Sequence, residues 1–309
     1  MSRRSNDTEI HIRVANAPCS WGMFELTAGS KGPDGDQVMD EIEASGYAGT
    51  ELGDWGFYPT EPQALEAALE RRGLSMIGGF VPVALSRAET HEEGRALAVK
   101  TARLMAAVSS DAFVVLSDDC GKDPVRTKLA GRIREEHGLD ADAWSTFGRG
   151  ADEIARAVRD ETGLRTVFHP HCAGYVETPR EIARLLEVTD PSLVGLCLDT
   201  GHYTYGGGDD PVDAILLAGE RLWHVHFKDC SPEVAAAARR DEVDYEEAVR
   251  RGVFCELGKG SVDFAAVLAE LKRRGYGGWI VVEQDVLPGM GAPLESARRN
   301  RAFLATLGL

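Results

Sequence analysis

The chain has no C-x-x-C pair: Cys19, Cys120, Cys172, Cys197, Cys230 and Cys255 stand singly. Reduced thiols are therefore expected, in a chain long enough to be stable without disulfides. No run approaches the roughly 18 consecutive apolar residues of a membrane helix. The opening Met-Ser-Arg-Arg-Ser-Asn-Asp-Thr-Glu lacks the apolar stretch of a secretory signal, so a cytoplasmic location is expected. Positive charge is scarce too, with 34 Lys plus Arg against 50 Asp plus Glu and a formal net charge of −16. Phosphates and acidic lipids are gathered by clustered cations, so neither a nucleic acid nor a membrane is expected as partner. A G-x-G-x-x-G is also missing after the first strand-like segment, which runs into Ala-Pro-Cys-Ser-Trp-Gly. This argues against an open dinucleotide-binding sheet. Gly206-Gly207-Gly208 reads as a flexible turn.

Present instead is a regular alternation, eight times over, of short β-branched or apolar runs with segments of helical period. Strands are predicted at Ile12–Ala17, Gly49–Leu52, Ser75–Phe80, Ala112–Ser117, Arg165–His169, Gly195–Asp199, Leu222–Phe227 and Trp279–Glu283. Helices are predicted at Asp36–Ala44, Pro62–Arg72, Thr90–Ala107, Ala151–Glu161, Pro179–Leu186, Pro211–Ala218, Val262–Arg273 and Pro293–Leu304. Eight strand-helix units predict an α/β fold of the closed parallel (β/α)8 TIM-barrel kind, because each crossover helix covers the outside of the strand it joins. A single domain over residues 1–309 is expected, with 1–10 as a flexible tail. Two connections exceed the usual length of about 2–6 residues. Asp118 to Arg149 follows strand four and includes a helical stretch near Val125 to Glu136; Cys230 to Gly260 follows strand seven. Both are read as insertions at the carboxyl face, where barrels keep their active sites, and so as lids or interface elements.

Five of the eight histidines fall in Phe-His-Pro-His (His169, His171), Leu-Asp-Thr-Gly-His (His202) and Trp-His-Val-His-Phe-Lys-Asp (His224, His226). Side chains two apart share a strand face, which pairs His169 with His171, Cys197 with Asp199, His226 with Lys228, and Val281 with Glu283. In a barrel, strands five to eight would then aim His169, Asp199, His226 and Glu283 at one mouth. Such a mixed set suits Mn²⁺, Co²⁺ or Zn²⁺ better than Ca²⁺, in an open catalytic site. His224, one pleat deeper, is a packed or supporting histidine. His202 could orient a carboxylate or touch substrate, and Lys228 could polarise a substrate oxygen. His171 is assigned to substrate. Across the mouth, Glu51 with Trp21 and Trp55 could hold a polyol ring, although tryptophans packing loops on the rim would read the same. Glu177 is a first-turn carboxylate or a substrate contact.

These segments, with Glu-Leu-Gly-Asp-Trp-Gly-Phe-Tyr-Pro-Thr, Gly-Gly-Phe-Val-Pro, Gly-Lys-Gly-Ser-Val-Asp-Phe and Gly-Trp-Ile-Val-Val-Glu-Gln-Asp, resemble the xylose isomerase-like barrel superfamily. Within it the chain is most similar to the inosose dehydratase group. The resemblance implies a divalent-metal enzyme, with Mn²⁺ or Co²⁺ foremost and Zn²⁺ or Mg²⁺ as alternatives, acting on a small polyol or keto-sugar. It implies ligands Glu, Asp, His and Glu from strands five to eight. Asp199, His226 and Glu283 match the last three, while His169 stands where a glutamate is usual and Glu177 offers a substitute carboxylate. The implied reaction is dehydration of a cyclic keto-polyol: Glu283 takes the proton beside the ketone, and His202 or Lys228 helps the neighbouring hydroxyl leave as water. Return of the proton instead would make a sugar isomerase or epimerase. A sugar-binding protein without turnover would have no need of a metal, and an abasic-site endonuclease would need a basic groove that the charge opposes. Relatives often pair through insertions like Cys230 to Gly260, which would give a homo-oligomer.

Overall fold

The computed structural model describes residues 11–23, 32–287 and 289–309. The expected N-terminal tail, 1–10, lies outside the described residues. Eight parallel strands close on themselves: β1 (Arg13–Asn16), β2 (Gly49–Glu51), β3 (Ser75–Pro82), β4 (Phe113–Ser117), β5 (Arg165–Phe168), β6 (Val194–Asp199), β7 (Leu222–Phe227) and, after the short antiparallel pair β8 (Asp229–Cys230) and β9 (Phe254–Cys255), β10 (Trp279–Val282). Closure is made by β10 against β1, with Arg13 opposite Trp279 and Asn16 opposite Val282. The chain therefore forms the predicted barrel.

The surrounding helices are α1 (Gly35–Ala44), α2 (Pro62–Glu70), α3 (His91–Ala106), α4 (Pro124–Leu129), α5 (Ala141–Thr162), α6 (Pro179–Val188), α7 (Thr200–Tyr205), α8 (Pro211–Ala218), α9 (Pro232–Arg240), α10 (Tyr245–Arg250), α11 (Phe264–Arg273) and α12 (Pro293–Thr306). Their starts follow local chemistry. Proline opens α2, α6, α8 and α12, where its missing N–H costs nothing, and Thr178 with Glu181 forms a capping box on α6. Two predictions need correction: α5 begins ten residues before the predicted Ala151, and the helix predicted to Glu136 stops at Leu129; α7, α9 and α10 are additions to the predicted set. Among the described residues no helix is long and apolar enough to cross a membrane.

Strand alternation divides the core in two. Val14, Val114, Leu116, Phe168, Leu196, Leu198, Val225, Phe227, Ile280 and Val282 point outward under the helices. Inside, the floor is aromatic and cationic, with Arg13 over Trp279 at 4.0 Å and Arg165 over Phe113 and Trp223 at 4.8 and 5.1 Å. One pleat up lie Ala15, Ile77, Val115, Val167, Cys197 and Val281, all buried. The next pleat opens at the carboxyl mouth. A separate apolar cluster joins Ala130, Tyr245, Val249 and Phe254 of the two long connections to Cys172, Tyr205 and Leu287.

Candidate metal centre and active site

His169 continues β5: its N–H donates to the Leu116 carbonyl at 2.8 Å, so its ring keeps the inward parity of Val167. Asp199 both ends β6 and caps α7. Its Oδ1 accepts the His202 N–H at 2.7 Å, which holds the carboxylate still while Oδ2 faces inward without a hydrogen bond. His226 stands on β7 beside Asp199. Glu283 extends β10, its N–H bonded to the Phe227 carbonyl at 3.1 Å. One ligand-type atom from each of these four side chains lies within 4.8 Å of all the others.

These atoms converge without bonding to one another. His169 Nε2 is 3.7 Å from Asp199 Oδ2, and His226 Nδ1 is 3.2 Å from Glu283 Oε1. Both ring nitrogens of His169, Asp199 Oδ2 and His226 Nδ1 are buried with no hydrogen-bond partner. An unpaired buried polar group costs about 1–3 kcal/mol, so several aimed at one point call for a ligand. Two imidazoles and two carboxylates fit a divalent cation of borderline hardness.

Charge is distributed to match. Burial alone would lift the Glu283 and Asp199 carboxyls; the His226 and Lys228 cations hold Glu283 well below the usual carboxylate range, and Lys228 with His169 holds Asp199 low. Burial pushes His169 below the ordinary histidine value and, with His171 and Lys228 adding repulsion, pushes His202 further down. His226 goes the other way: burial opposes its charge, but Cys197, Glu283 and Glu51 raise it well above the histidine value.

Lys228 is 1% exposed, and burial works against its charge. Asp199, Asp285 and Glu283 nevertheless keep it an ammonium, with Nζ 3.6, 2.9 and 3.2 Å from their oxygens. It also meets His202 Nε2 at 3.0 Å. The His202 ring lies against that of His171, centroids 3.8 Å apart. A narrow cavity opens on this group, lined on its polar side by His169, His171, His226, Lys228, Glu283 and Asp285 and on its apolar side by Ala17, Pro18, Met23 and Phe80.

The expected residues His169, His171, Asp199, His202, His226, Lys228 and Glu283 thus gather at one mouth. Glu51 is there too, but its Oε1 accepts from His224 and His226 at 2.8 and 3.0 Å, so it serves the imidazoles. Burial would raise its carboxyl, yet the two histidines hold it at about 2. Among the described residues neither expected tryptophan lines the cavity. The Trp21 indole donates to Glu41 at 2.6 Å, and Trp55 lies under the Lys100 ammonium at 3.9 Å in an outer groove. Glu177 is not a substitute ligand: its two oxygens accept the Gly131 and Ala173 N–H groups at 2.7 and 2.9 Å. Burial there pushes its carboxyl up to about 7 against the pull of Arg126. Sequence reasoning missed Asp285 and Tyr245. Asp285 follows Glu283 by two residues, and that spacing could have shown it. Tyr245, whose ring is 5.7 Å from that of His171, comes from an inserted helix that leaves no strand signal.

A closed parallel barrel whose fifth to eighth strands bring imidazoles, carboxylates and one buried ammonium to a common cavity has the layout of an enzyme site, and the similarity to dehydratases makes the chain an enzyme of the lyase class. Residues 39–307 match the xylose isomerase-like TIM barrel family, and the chain belongs to it. Inosose dehydratase of Geobacillus kaustophilus (strain HTA426) is 32% identical over 303 residues, covering 96% of this chain and 94% of that protein. Among solved structures, the IolI protein with a bound zinc atom shares the fold at a TM-score of 0.69 and 14% identity, over 96% of this chain and 98% of that one. 3-Keto-D-glucoside 4-epimerase, YcjR, from E. coli does so at 0.68 and 16% identity, over 96% and 99%.

Proposed function

We propose that the protein is a divalent-metal-dependent dehydratase of a cyclic keto-polyol of the inosose kind. The observation that carries this is the convergence of unpaired buried ligand atoms from His169, Asp199 and His226, with Glu283, beside a buried ammonium. The similarity to inosose dehydratase points the same way. Held by those four side chains, Mn²⁺ or Co²⁺ would supply Lewis-acid stabilisation of negative charge developing on a substrate oxygen. The chain's own groups do the rest. Glu283, the most exposed of the four at 12% of its side chain, takes the proton from the carbon beside the ketone. The electron pair left behind expels the hydroxyl on the next carbon, and Lys228 protonates it, so that water leaves and a conjugated enol-dione remains. Glu283 Oε2 and Lys228 Nζ are 3.2 Å apart, close enough for the captured proton to pass to the amine and restore both. His202, bonded to the same Nζ, orients it. Phe80, Pro18 and Met23 keep bulk water from the reacting face.

The test is incubation of Mn²⁺- or Co²⁺-loaded protein with an inosose while following the ultraviolet absorbance of the conjugated product. A rise in absorbance with release of water supports the dehydratase. Epimerised or isomerised sugar from a ketose panel, with no such signal, would replace this reading by that of an isomerase.

A further inference from the structure

We propose that Glu51 and His224 form a buried positioning relay that fixes which nitrogen of His226 is offered to the metal, and thereby sets how tightly the metal is held. The inference rests on the metal-centre reading above. Its starting point is that one carboxylate oxygen, Glu51 Oε1, lies 2.8 Å from His224 Nε2 and 3.0 Å from His226 Nε2. Glu51, His224 and His226 are 4%, 0% and 1% exposed, so water does not compete for these bonds. An ionised carboxylate only accepts, so both imidazoles must present Nε2–H to it. A ring that keeps its proton on Nε2 while it holds a metal does so through the lone pair on Nδ1. In His226 that is the atom facing Glu283 at 3.2 Å without a hydrogen bond, within the four-residue cluster.

The fold has gone out of its way to put the carboxylate there. The β2–β3 pairing shifts register between Thr50 and Glu51, a bulge that sets Glu51 opposite Gly78. A Cβ on Gly78 would meet Glu51 Oε1 at 3.0 Å and Val115 Cγ2 at 3.1 Å, so glycine leaves the space the carboxylate occupies. From below, His224 is packed on Phe113 with ring centroids 5.3 Å apart. The relay therefore runs from the rigid floor through His224 and Glu51 to His226. The negative charge on the outer side of the ring also makes Nδ1 a stronger donor, as carboxylates behind metal-bound histidines do. Glu51, His224 and His226 could in principle hold a cation of their own. Doing so would cost both hydrogen bonds, because each Nε2 would have to give up the proton it donates to Oε1.

The experiment titrates Co²⁺ into the metal-free protein and its variants, following visible absorbance, and records long-range ¹H–¹⁵N spectra of the Zn²⁺-loaded forms. Wild type is expected to bind one Co²⁺ and to show an exchange-protected proton on His226 Nε2. Glu51→Gln, nearly the same shape without the charge, is expected to bind Co²⁺ about 10- to 100-fold more weakly and to lose that proton's protection. Glu51→Asp should recover part of the affinity. Unchanged affinity in a Glu51→Gln protein with wild-type melting, a His226 proton on Nδ1, or two Co²⁺ per chain overturns the relay. If Glu51→Gln does not fold, Gly78→Ala replaces it, since it keeps the carboxylate but displaces it; weaker binding supports the relay and wild-type binding refutes it. No Co²⁺ bound by wild type would instead refute the metal-centre reading itself.

Discussion

The two halves of the barrel mouth are built to one plan and do different work. Around β1 and β3 the mouth receives Ala17, Pro18 and Phe80; where β5, β6, β7 and β10 end, it receives His169, Asp199, His226 with Lys228, and Glu283. Within one half the repeating unit supplies a dry wall, and within the other it supplies charge. Each needs its opposite, because charges act at full strength only where water is excluded, and an apolar wall has no chemistry of its own. Glu51 crosses the divide, reaching from β2 to the histidines of β7.

The contrast can be broken from the charged side first. Asp199→Ala removes a ligand and the α7 cap together; we expect metal to be lost on dialysis and turnover of an inosose to fall to background, and full metal occupancy would refute the ligand set. Lys228→Met separates holding from proton transfer, with kcat falling about 10²- to 10⁴-fold while metal content stays at the wild-type level. Arg126→Met probes the roof over the charged half. Arg126 is fully buried and pairs with both oxygens of Glu181 at 2.8 and 3.0 Å, so urea unfolding should show a loss of about 3–5 kcal/mol. By contrast Arg72 on the opposite side meets the exposed Asp36 and Asp40, and its pairs should contribute no more than about 1 kcal/mol.

Glu177 gives a pH signature. Its carboxyl is raised to about 7 in the folded chain, so between the ordinary carboxyl value of 4.5 and 7 the folded state binds more protons than the unfolded one. Its contribution is therefore fullest below pH 4.5 and is lost as pH rises through 7, by on the order of 1–3 kcal/mol. Melting curves at pH 5 and pH 8 should differ more for wild type than for Glu177→Gln, and equal differences would count against the raised value. The smallest effect is expected at Trp55. Lying in its outer groove, Trp55→Ala should change KM by no more than about twofold, in line with surface substitutions generally.

Much of the barrel is legible in the sequence. Its eight strands match the predicted ones to within two residues because apolar β-branched runs between helical segments have few other meanings, and in a barrel strand parity puts His169, Asp199, His226 and Glu283 on one interior, whereas the two-residue β8 and β9 are too short to leave a pattern. Helix α5 begins ten residues before the predicted Ala151, and the added turns carry Gly148 and Gly150, residues that disfavour a helix interior. Here they are contacts: a Cβ there would strike the Val188 carbonyl and the His91 ring, so glycine lets the helix approach its neighbours. α7 has six residues, too few for a periodicity to register, and it exists because Asp199 caps it. The role of Glu51 was hidden for another reason. Its partners lie 173 and 175 residues away, and the bulge that aims it has no sequence signature.

The plugged floor has a kinetic consequence. With Arg13 stacked on Trp279 and Arg165 on Phe113 and Trp223, the lower end of the barrel is filled by side chains, so the proposed metal and sugar would share the doorway at the carboxyl mouth. Depth then dictates sequence: the deeper guest must come first and depart last, and a saturating sugar should slow chelator stripping as a cork slows a bottle.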